Sequence, residues 1–347
     1  MMKVINVPRH KTIDDLAREA QVSVSTIDRI LSGRGQVKPT TIEHVLAVAE
    51  QIGFYAVESI RSRLVLDAPE RRFGFLLNSA DRQLYRDLAE ELSGSARKAV
   101  NLRGQAVVRH LNDTDPENAA RALLELGEQC DVIACVCVDH PAVSTAVGEL
   151  ERRGVPVITM ISDISSPARI GFVGSNDWQL GRTAGWFCHR VIRSGKVAVL
   201  TGSERYTCQQ VHDASFRGFL RSQQADFTLL ESRVTHEDDS AAEAITRSLL
   251  DEHADLAALF VAGGGLDGVC MELLRRGRKD VMVIGCEMTG RTRSRLSSGE
   301  IDVILAHPVD EIARRTVQAM IKLITSPTPH QPFQTIVPFA VVVTENC

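Results

Sequence analysis

The chain has 347 residues, 44% of them apolar and 24% charged, with 40 Lys and Arg set against 44 Asp and Glu. That length calls for two or more domains, and the composition is ordinary for a soluble globular protein. No apolar run approaches the ~20 residues that span a bilayer, and MMKVINVPRHKTIDDLAREA lacks an apolar signal-peptide core, so the sequence argues against export and for a cytoplasmic protein.

The charge is unevenly spread. Up to Arg72 there are 11 Lys and Arg and 9 Asp and Glu, and the remainder has 29 and 35. A slightly basic head on an acidic body points to a head that meets something anionic. The eight cysteines form no CxxC and no Cys/His set with zinc spacing. Cys135 and Cys137 lie in DVIACVCVDH, which reads as a buried strand, so the cysteines are predicted to be reduced core residues. The sequence predicts neither a metal site nor a cofactor.

Three helices are predicted in the first 53 residues. In TIDDLAREA, Ile13, Leu16, Ala17 and Ala20 share one face and Thr12 caps the start. In VSVSTIDRILSG, Ser23 caps a helix whose apolar face is Ile27, Ile30 and Leu31, and Gly33 closes it. In KPTTIEHVLAVAEQIG, Pro39 suits the first turn, Ile42, Val45, Leu46, Ala49 and Ile52 form the buried stripe, and Gly53 ends it. The tight turn Ala20-Gln21-Val22 joins the first two helices in a helix-turn-helix arrangement, in which the second helix can enter a major groove. Val24, Ser25, Asp28, Arg29 and Ser32 then point outward. Ser23 and Thr26 offer hydroxyls to phosphates at a helix N-terminus, and Arg29 has the fork that pairs with guanine. On the wheel alone, a plain three-helix bundle with a solvated face fits equally well.

Residues 57–71 turn polar and read as a linker with a short helix. Beyond them, short apolar strands are predicted at RFGFLL, QAVVRHL, DVIACVCV, VPVITMI, RIGFVG, KVAVLTG, FTLLES, LAALFVA, DVMVIGC, DVILAH and TIVPFAVVV. Helical stretches separate most of them, the alternation of a doubly wound parallel sheet. There are too many strands for one such sheet, so two lobes are predicted.

Thr12 to Phe54 resembles the DNA-binding head of the lactose-repressor (LacI) family of bacterial transcription regulators. The family pattern A-x-V-S-x-x-T-V-x-R-V-L-x-G, then a third helix ending L-G-Y, is met almost position by position. The α/β part resembles the family's effector domain, a relative of periplasmic sugar-binding proteins. The fold class implied is a small all-α helix-turn-helix head plus an α/β, two-lobed, doubly wound parallel-sheet (type I periplasmic-binding-protein-like) effector domain. The domains implied are a DNA-binding head at 1–56, a hinge at 57–71 and an effector and dimerisation domain at 72–347, with lobe crossovers near 170–175, 306–308 and 331–336.

Carried over by position, the resemblance puts base reading on Val24 and Ser25, the family's Arg on Arg29, and phosphate contacts on Thr12, Ser23, Thr26, Ser32 and Thr41. Asp28 and Ile42 depart from a common Ser and a common Arg. The hinge departs further: Ala56 stands where Pro is expected, and the candidate minor-groove wedge, Leu64, falls about one residue late.

In this fold a ligand lies between the lobes at the C-terminal ends of parallel strands. Polar residues just past strand ends are therefore the effector candidates: Asn78, Asp81 and Tyr85, then Ser162 and Asp163, then Glu287 and His307. Carboxylates and amides suit a polyhydroxylated ligand, and Tyr85 can stack on its apolar face. Two departures bear on a sugar reading: a common sugar-gripping Arg falls on Ser215, and a strand-end Asn or Asp falls among the glycines of FVAGGGLDG.

The reading is a repressor of sugar or polyol genes, binding operator DNA as a homodimer under control of a small effector, and not an enzyme. Two alternatives stay open. GGGLDG also fits a weak dinucleotide fingerprint and hence an α/β enzyme, although no nucleophile elbow, P-loop or metal triad accompanies it. A transport-type sugar-binding protein would share the body but not the head.

Overall fold

A computed structural model describes residues 11–34, 36–65, 68–99, 102–223, 226–326 and 331–347. The chain divides into two compact units, Met1–Arg71 with Arg97–Gln105, and Arg72–Ala96 with Ala106–Cys347.

The first unit opens with α1 (Ile13–Glu19), α2 (Val24–Ser32), α3 (Pro39–Ile52) and α4 (Val57–Val65). Local chemistry sets the boundaries. Thr12 and Asp15 form a reciprocal capping box on α1. Ser23 caps α2, and glycines close α2 and α3 in the left-handed region, Gly33 at φ 69° and Gly53 at φ 67°. Gln21 takes the turn between α1 and α2 at φ 52°. The shared core is Leu16, Ala17, Ala20, Ile27, Ile30, Val45, Leu46 and Ala49, with Ile42 and Phe54. The stretch read as a linker adds to it, because α4 packs on α3 and α2 and its Ile60 is fully buried in the same cluster. Arg61 of α4 pairs with Glu50 of α3 and with Glu58.

The second unit alternates strand and helix: β1 (Glu70–Leu77), α5 (Gln83–Arg97), β2 (Arg103–His110), α6 (Pro116–Gly127), β3 (Val132–Cys135), α7 (Pro141–Arg152), β4 (Val157–Met160) and β5 (Gly171–Gly174). Then come α8 (Asp177–Val191), β6 (Ser194–Thr201), α9 (Thr207–Ser222), β7 (Asp226–Leu229), β8 (Arg233–Val234), α10 (Asp239–Glu252), β9 (Leu256–Val261), α11 (Leu266–Arg276) and β10 (Met282–Gly285). The last elements are α12 (Gly290–Ser297), β11 (Val303–Ala306), α13 (Val309–Thr325), β12 (Phe333–Ile336) and β13 (Ala340–Val342).

Two sheets result, one per lobe. The first has the order β12-β5-β4-β3-β1-β2 and the second β13-β11-β10-β9-β6-β7, with β8 also on β6. Their central strands are buried apolar runs in parallel pairing, such as Phe75 opposite Ala134 and Val283 opposite Leu259. Helices cover both faces, as parallel sheets require. The chain passes between lobes after β5, after β11 and after β12. The third passage follows 331–336 rather than coinciding with it, because Phe333–Ile336 is itself strand β12, paired to β5. TIVPFAVVV therefore divides between two sheets, with β13 antiparallel to β11. The two-residue β8 was not predicted at all.

Close helix approach explains two glycines. A Cβ on Gly181 of α8 would overlap His212 and Ser215 of α9, and one on Gly268 of α11 would overlap the Asp239 carbonyl of α10. The eight cysteines are unpaired and seven are buried; burial pushes thiols such as Cys130 up, to about 11.

Candidate functional site

Two surfaces carry the predicted residues. On the head, α2 presents Ser23, Val24, Ser25, Asp28, Arg29 and Ser32 to solvent, with Thr26 half-buried. Val24 is 42% exposed, high for a valine in a helix whose other face is core. The Ser23 hydroxyl accepts from the Thr26 amide at 3.2 Å and lies 2.8 Å from both the Ser25 and Thr26 hydroxyls. Three rotatable hydroxyls thus sit at the positive end of the helix. Arg29 donates from Nε to the Ser25 carbonyl at 3.1 Å, which lays the guanidinium along the same face. Ser32 donates to the Asp28 carbonyl at 2.6 Å. Thr12 is exposed at the α1 cap and Thr41 half-buried on α3. Ile42, where the family commonly has Arg, belongs to the head core. Leu64 falls on α4, but its side chain lies outside the described residues.

In the body, strand-end loops of both lobes converge. Tyr85, Ser162, Glu287 and His307 line one inner cavity of about 20 Å³, together with Arg82, Tyr206 and Gln209. Asn78 sits behind Tyr85, donating Nδ2 to its hydroxyl at 3.0 Å. Asp81 is not in the cavity; it is exposed, bonded to Ser79, and borders an outer depression of about 490 Å³. Asp163 also turns away. Its carboxylate accepts from Thr159 at 2.6 Å, the Ile164 amide at 2.9 Å and Arg169 at 2.6 Å, so it shapes its own loop.

The centre of the cleft is a residue that the sequence reading passed over. Arg82, just before α5, reaches from the first lobe and pairs with Glu237 and Glu287 of the second. Its guanidinium also lies 5.0 Å from the Tyr85 ring centroid. Glu237 is held in place: it accepts from Gln209 Nε2 at 2.7 Å and from the Gly264 amide at 3.0 Å. Gln209 in turn accepts from the Gly202 and Ser203 amides at 2.7 and 3.1 Å. His236 and Glu237 take positive φ, 55° and 63°, at the end of β8. Two consecutive non-glycine residues there are costly, and such strain concentrates at working sites.

The glycine run now has a packing reason. A Cβ on Gly264 would stand 2.7 Å from Glu237 Oε2 and 3.0 Å from Arg82 Cζ, and one on Gly263 would meet Gly202 and Gln209 at 2.6–2.8 Å. The glycines admit the ion cluster rather than a phosphate. Ser215, at the family's sugar-gripping position, is fully buried and donates to the His212 carbonyl at 3.2 Å between α9 and α8.

Further bonds join the lobes: the Asp139 amide to the Arg205 carbonyl at 2.8 Å, Thr207 Oγ1 to the Asp163 carbonyl at 2.8 Å, and the Cys208 amide to Ser162 Oγ at 3.4 Å. At the crossovers, His307 Nδ1 lies 3.4 Å from Ser175 Oγ. Its ring stacks on His212, which bonds Asp177 at 3.0 Å. Burial, with His212 beside it, pushes the His307 imidazole down to about 4, so it is neutral at physiological pH. Burial also raises the Tyr206 hydroxyl, keeping it a neutral donor.

Comparison with known proteins bears on both surfaces. Residues 73–327 match the family described as periplasmic binding protein domain, and residues 12–56 match bacterial regulatory proteins, lacI family. The chain is 25% identical to catabolite control protein A of Priestia megaterium over 292 residues, 80% of this chain and 82% of that one. It is 22% identical to the ribose operon repressor of Halalkalibacterium halodurans over 284 residues, 79% of each. A solute-binding protein of an ABC transporter from Burkholderia graminis, solved with D-arabinose, superposes with a TM-score of 0.73 at 20% identity, covering 81% of this chain and 97% of that one.

Proposed function

The chain belongs to the periplasmic binding protein domain family and carries the DNA-binding head of bacterial lacI-type regulators, and from that premise we propose how its two surfaces work together. It is a ligand-responsive, DNA-binding transcriptional repressor of the sugar-regulated kind. The head, residues 1–56, reads a half-site with Val24, Ser25 and Arg29, and holds phosphates with Thr12, Ser23, Thr26, Ser32 and Thr41. Two copies read a pseudo-palindromic operator, with 57–71 connecting each head to a body at 72–347. The setting is the cytoplasm; among the described residues no helix is long and apolar enough to cross a membrane.

The effector, a sugar or polyol, enters between the lobes and engages Arg82, Glu237, Glu287, Tyr85, Ser162 and His307. The observation that carries this reading is the Arg82 bridge: one guanidinium from the first lobe is shared by two carboxylates of the second. Lobe closure is thereby coupled to whatever competes for those charges. A coupling of 1–3 kcal/mol, about 5–150-fold in operator affinity, is what such regulation needs. The cycle is binding and release with no chemical step.

The test is selection of DNA from a random pool by the full chain, followed by anisotropy titrations with and without a panel of sugars and polyols. A selected site with two-fold symmetry, whose affinity changes at least fivefold with one compound, supports the reading. Binding that stays sequence-independent removes it.

A further inference from the structure

The ion cluster is unbalanced, and the imbalance identifies a ligand class. Glu237 has its donors in Arg82, Gln209 and the Gly264 amide. Glu287 pairs through Oε1 with the same Arg82, and among the described residues its carboxylate forms no other hydrogen bond. Two carboxylates, 9% and 17% exposed, thus share one guanidinium that is 14% exposed. The inner cavity supplies no second cation, because His307 is held neutral.

The outer depression adds to the excess. Its volume of about 490 Å³ falls within the range of small-molecule sites. Asp81, Asp87, Asp239 and Asp267 stand on its walls against Arg86 and Arg291. Asp267 is matched by two arginines, Arg291 at 2.9 Å and Arg295 at 2.5 Å, and Arg86 donates to neutral acceptors, Gln83 at 2.5 Å and the Ala80 carbonyl, so the excess lies with Asp81, Asp87 and Asp239 against the one charge of Arg86. Among the described residues Asp239 accepts only a long bond, 3.4 Å, from the Gly268 amide. Its carboxyl is raised above the ordinary range, first by burial and then by Asp267 beside it. Carboxylates without matching cations disfavour further negative charge and favour a ligand that brings a positive one.

We propose that the effector is a polyhydroxylated molecule carrying an amine, whose ammonium meets Glu287 at the Arg82 cluster, and that phosphorylated and acidic sugars are rejected. The proposal rests on the reading of this cleft as the effector site. Hydroxyls of the same ligand bond Ser162 and the Glu237–Arg82 pair, and the apolar face stacks on Tyr85.

Isothermal titration of the full chain decides it. The probes are D-glucose, D-mannose and D-galactose, their 2-amino-2-deoxy counterparts and their 6-phosphates, with sorbitol and glucamine as an open-chain pair. At least one amine should bind roughly tenfold or more tightly than its neutral parent, the difference one added charge-assisted contact makes. The phosphates should show no heat. In Glu287→Gln the advantage of the amine should shrink to about threefold or less. A neutral parent or a phosphate binding as tightly as its amine overturns the proposal, and so does the failure of every amine at about 10 mM. Neutral sugars that bind and alter operator affinity would leave the regulatory reading standing while removing this one. Amines that bind without altering operator affinity would also overturn the proposal, because a ligand that leaves operator affinity unchanged is not the effector.

Discussion

Replacing Arg82 by Met removes the charge and keeps most of the side-chain volume. Two carboxylates of the second lobe, 9% and 17% exposed, then line the cleft without the cation they share. Removing one partner of a buried pair costs about 3–5 kcal/mol, because the charge left behind is uncompensated. The cluster is partly solvated, and Glu237 keeps Gln209 and the Gly264 amide. Those two facts reduce the expected loss to about 2–4 kcal/mol. For a body of this size each kcal/mol moves Tm by about 2 °C, so scanning calorimetry should show its transition falling by roughly 4–8 °C. Arg82→Lys keeps the charge but not the fork, and should lose about half as much. The combined Arg82→Met, Glu237→Gln, Glu287→Gln variant should recover most of the loss, since charges that are absent need no partner. An unchanged or higher Tm in Arg82→Met alone would refute the claim that this bridge holds the lobes together.

Arg29→Ala should cost roughly 1–3 kcal/mol of discrimination between operator and mutated operator in anisotropy titrations, with an unchanged circular dichroism spectrum; equal loss on every sequence would make Arg29 a phosphate contact instead. Ile60 is fully buried with the head helices, so Ile60→Ala should destabilise the head by about 2–4 kcal/mol, read as faster amide exchange across α1–α3; exchange confined to α4 would show that α4 is not part of the head core. His307 is neutral in the fold down to about pH 4 but charges near 6.5 once unfolded. Its folded value is depressed, so the unfolded chain binds the extra proton between those values and stability falls as pH drops from about 6.5 to 4, by roughly 3 kcal/mol in all. His307→Gln should flatten that part of the Tm–pH curve, and an unchanged slope would place the acid sensitivity elsewhere.

The head was legible because its determinants are local. Caps at Thr12 and Ser23, the proline opening α3 and the closing glycines all act within a few residues of where they stand. The exposed face of α2 follows from helical period alone. Strand–helix alternation likewise exposed the two-sheet body, since parallel central strands are uninterrupted apolar runs. The reading of 57–71 as a linker with a short helix missed the role of Ile60: Val57, Ile60 and Leu64 have helical spacing, but spacing alone does not say what that stripe packs against. TIVPFAVVV reads as one strand only if Pro338 is passed over: it lies between β12 and β13, where the chain changes sheet, and a proline cannot donate to a strand ladder, although which sheets the two halves join is a matter of topology.

The effector cleft was legible only in part, and the division follows a physical line. Tyr85, Ser162, Glu287 and His307 lie just past strand ends, and strand ends in a doubly wound sheet converge whatever the residues are. Arg82 and Glu237 escaped the same rule because each reads locally as a solvated charge, Arg82 in ADRQ and Glu237 in HEDD. Their significance lies in a pairing across 155 positions that no local pattern encodes. One trace of it was present in the sequence. Gly263 and Gly264 were weighed as a phosphate loop, yet what requires their missing side chains is Gln209, Glu237 and Arg82. A glycine run after a parallel strand therefore says only that something comes close to the backbone. Here Gln209 and Glu237 of the same lobe come closest and Arg82 of the opposite lobe stands beside Glu237, so Gly264 backs the contact between lobes and Gly264→Ala should weaken closure before it disturbs the sheet.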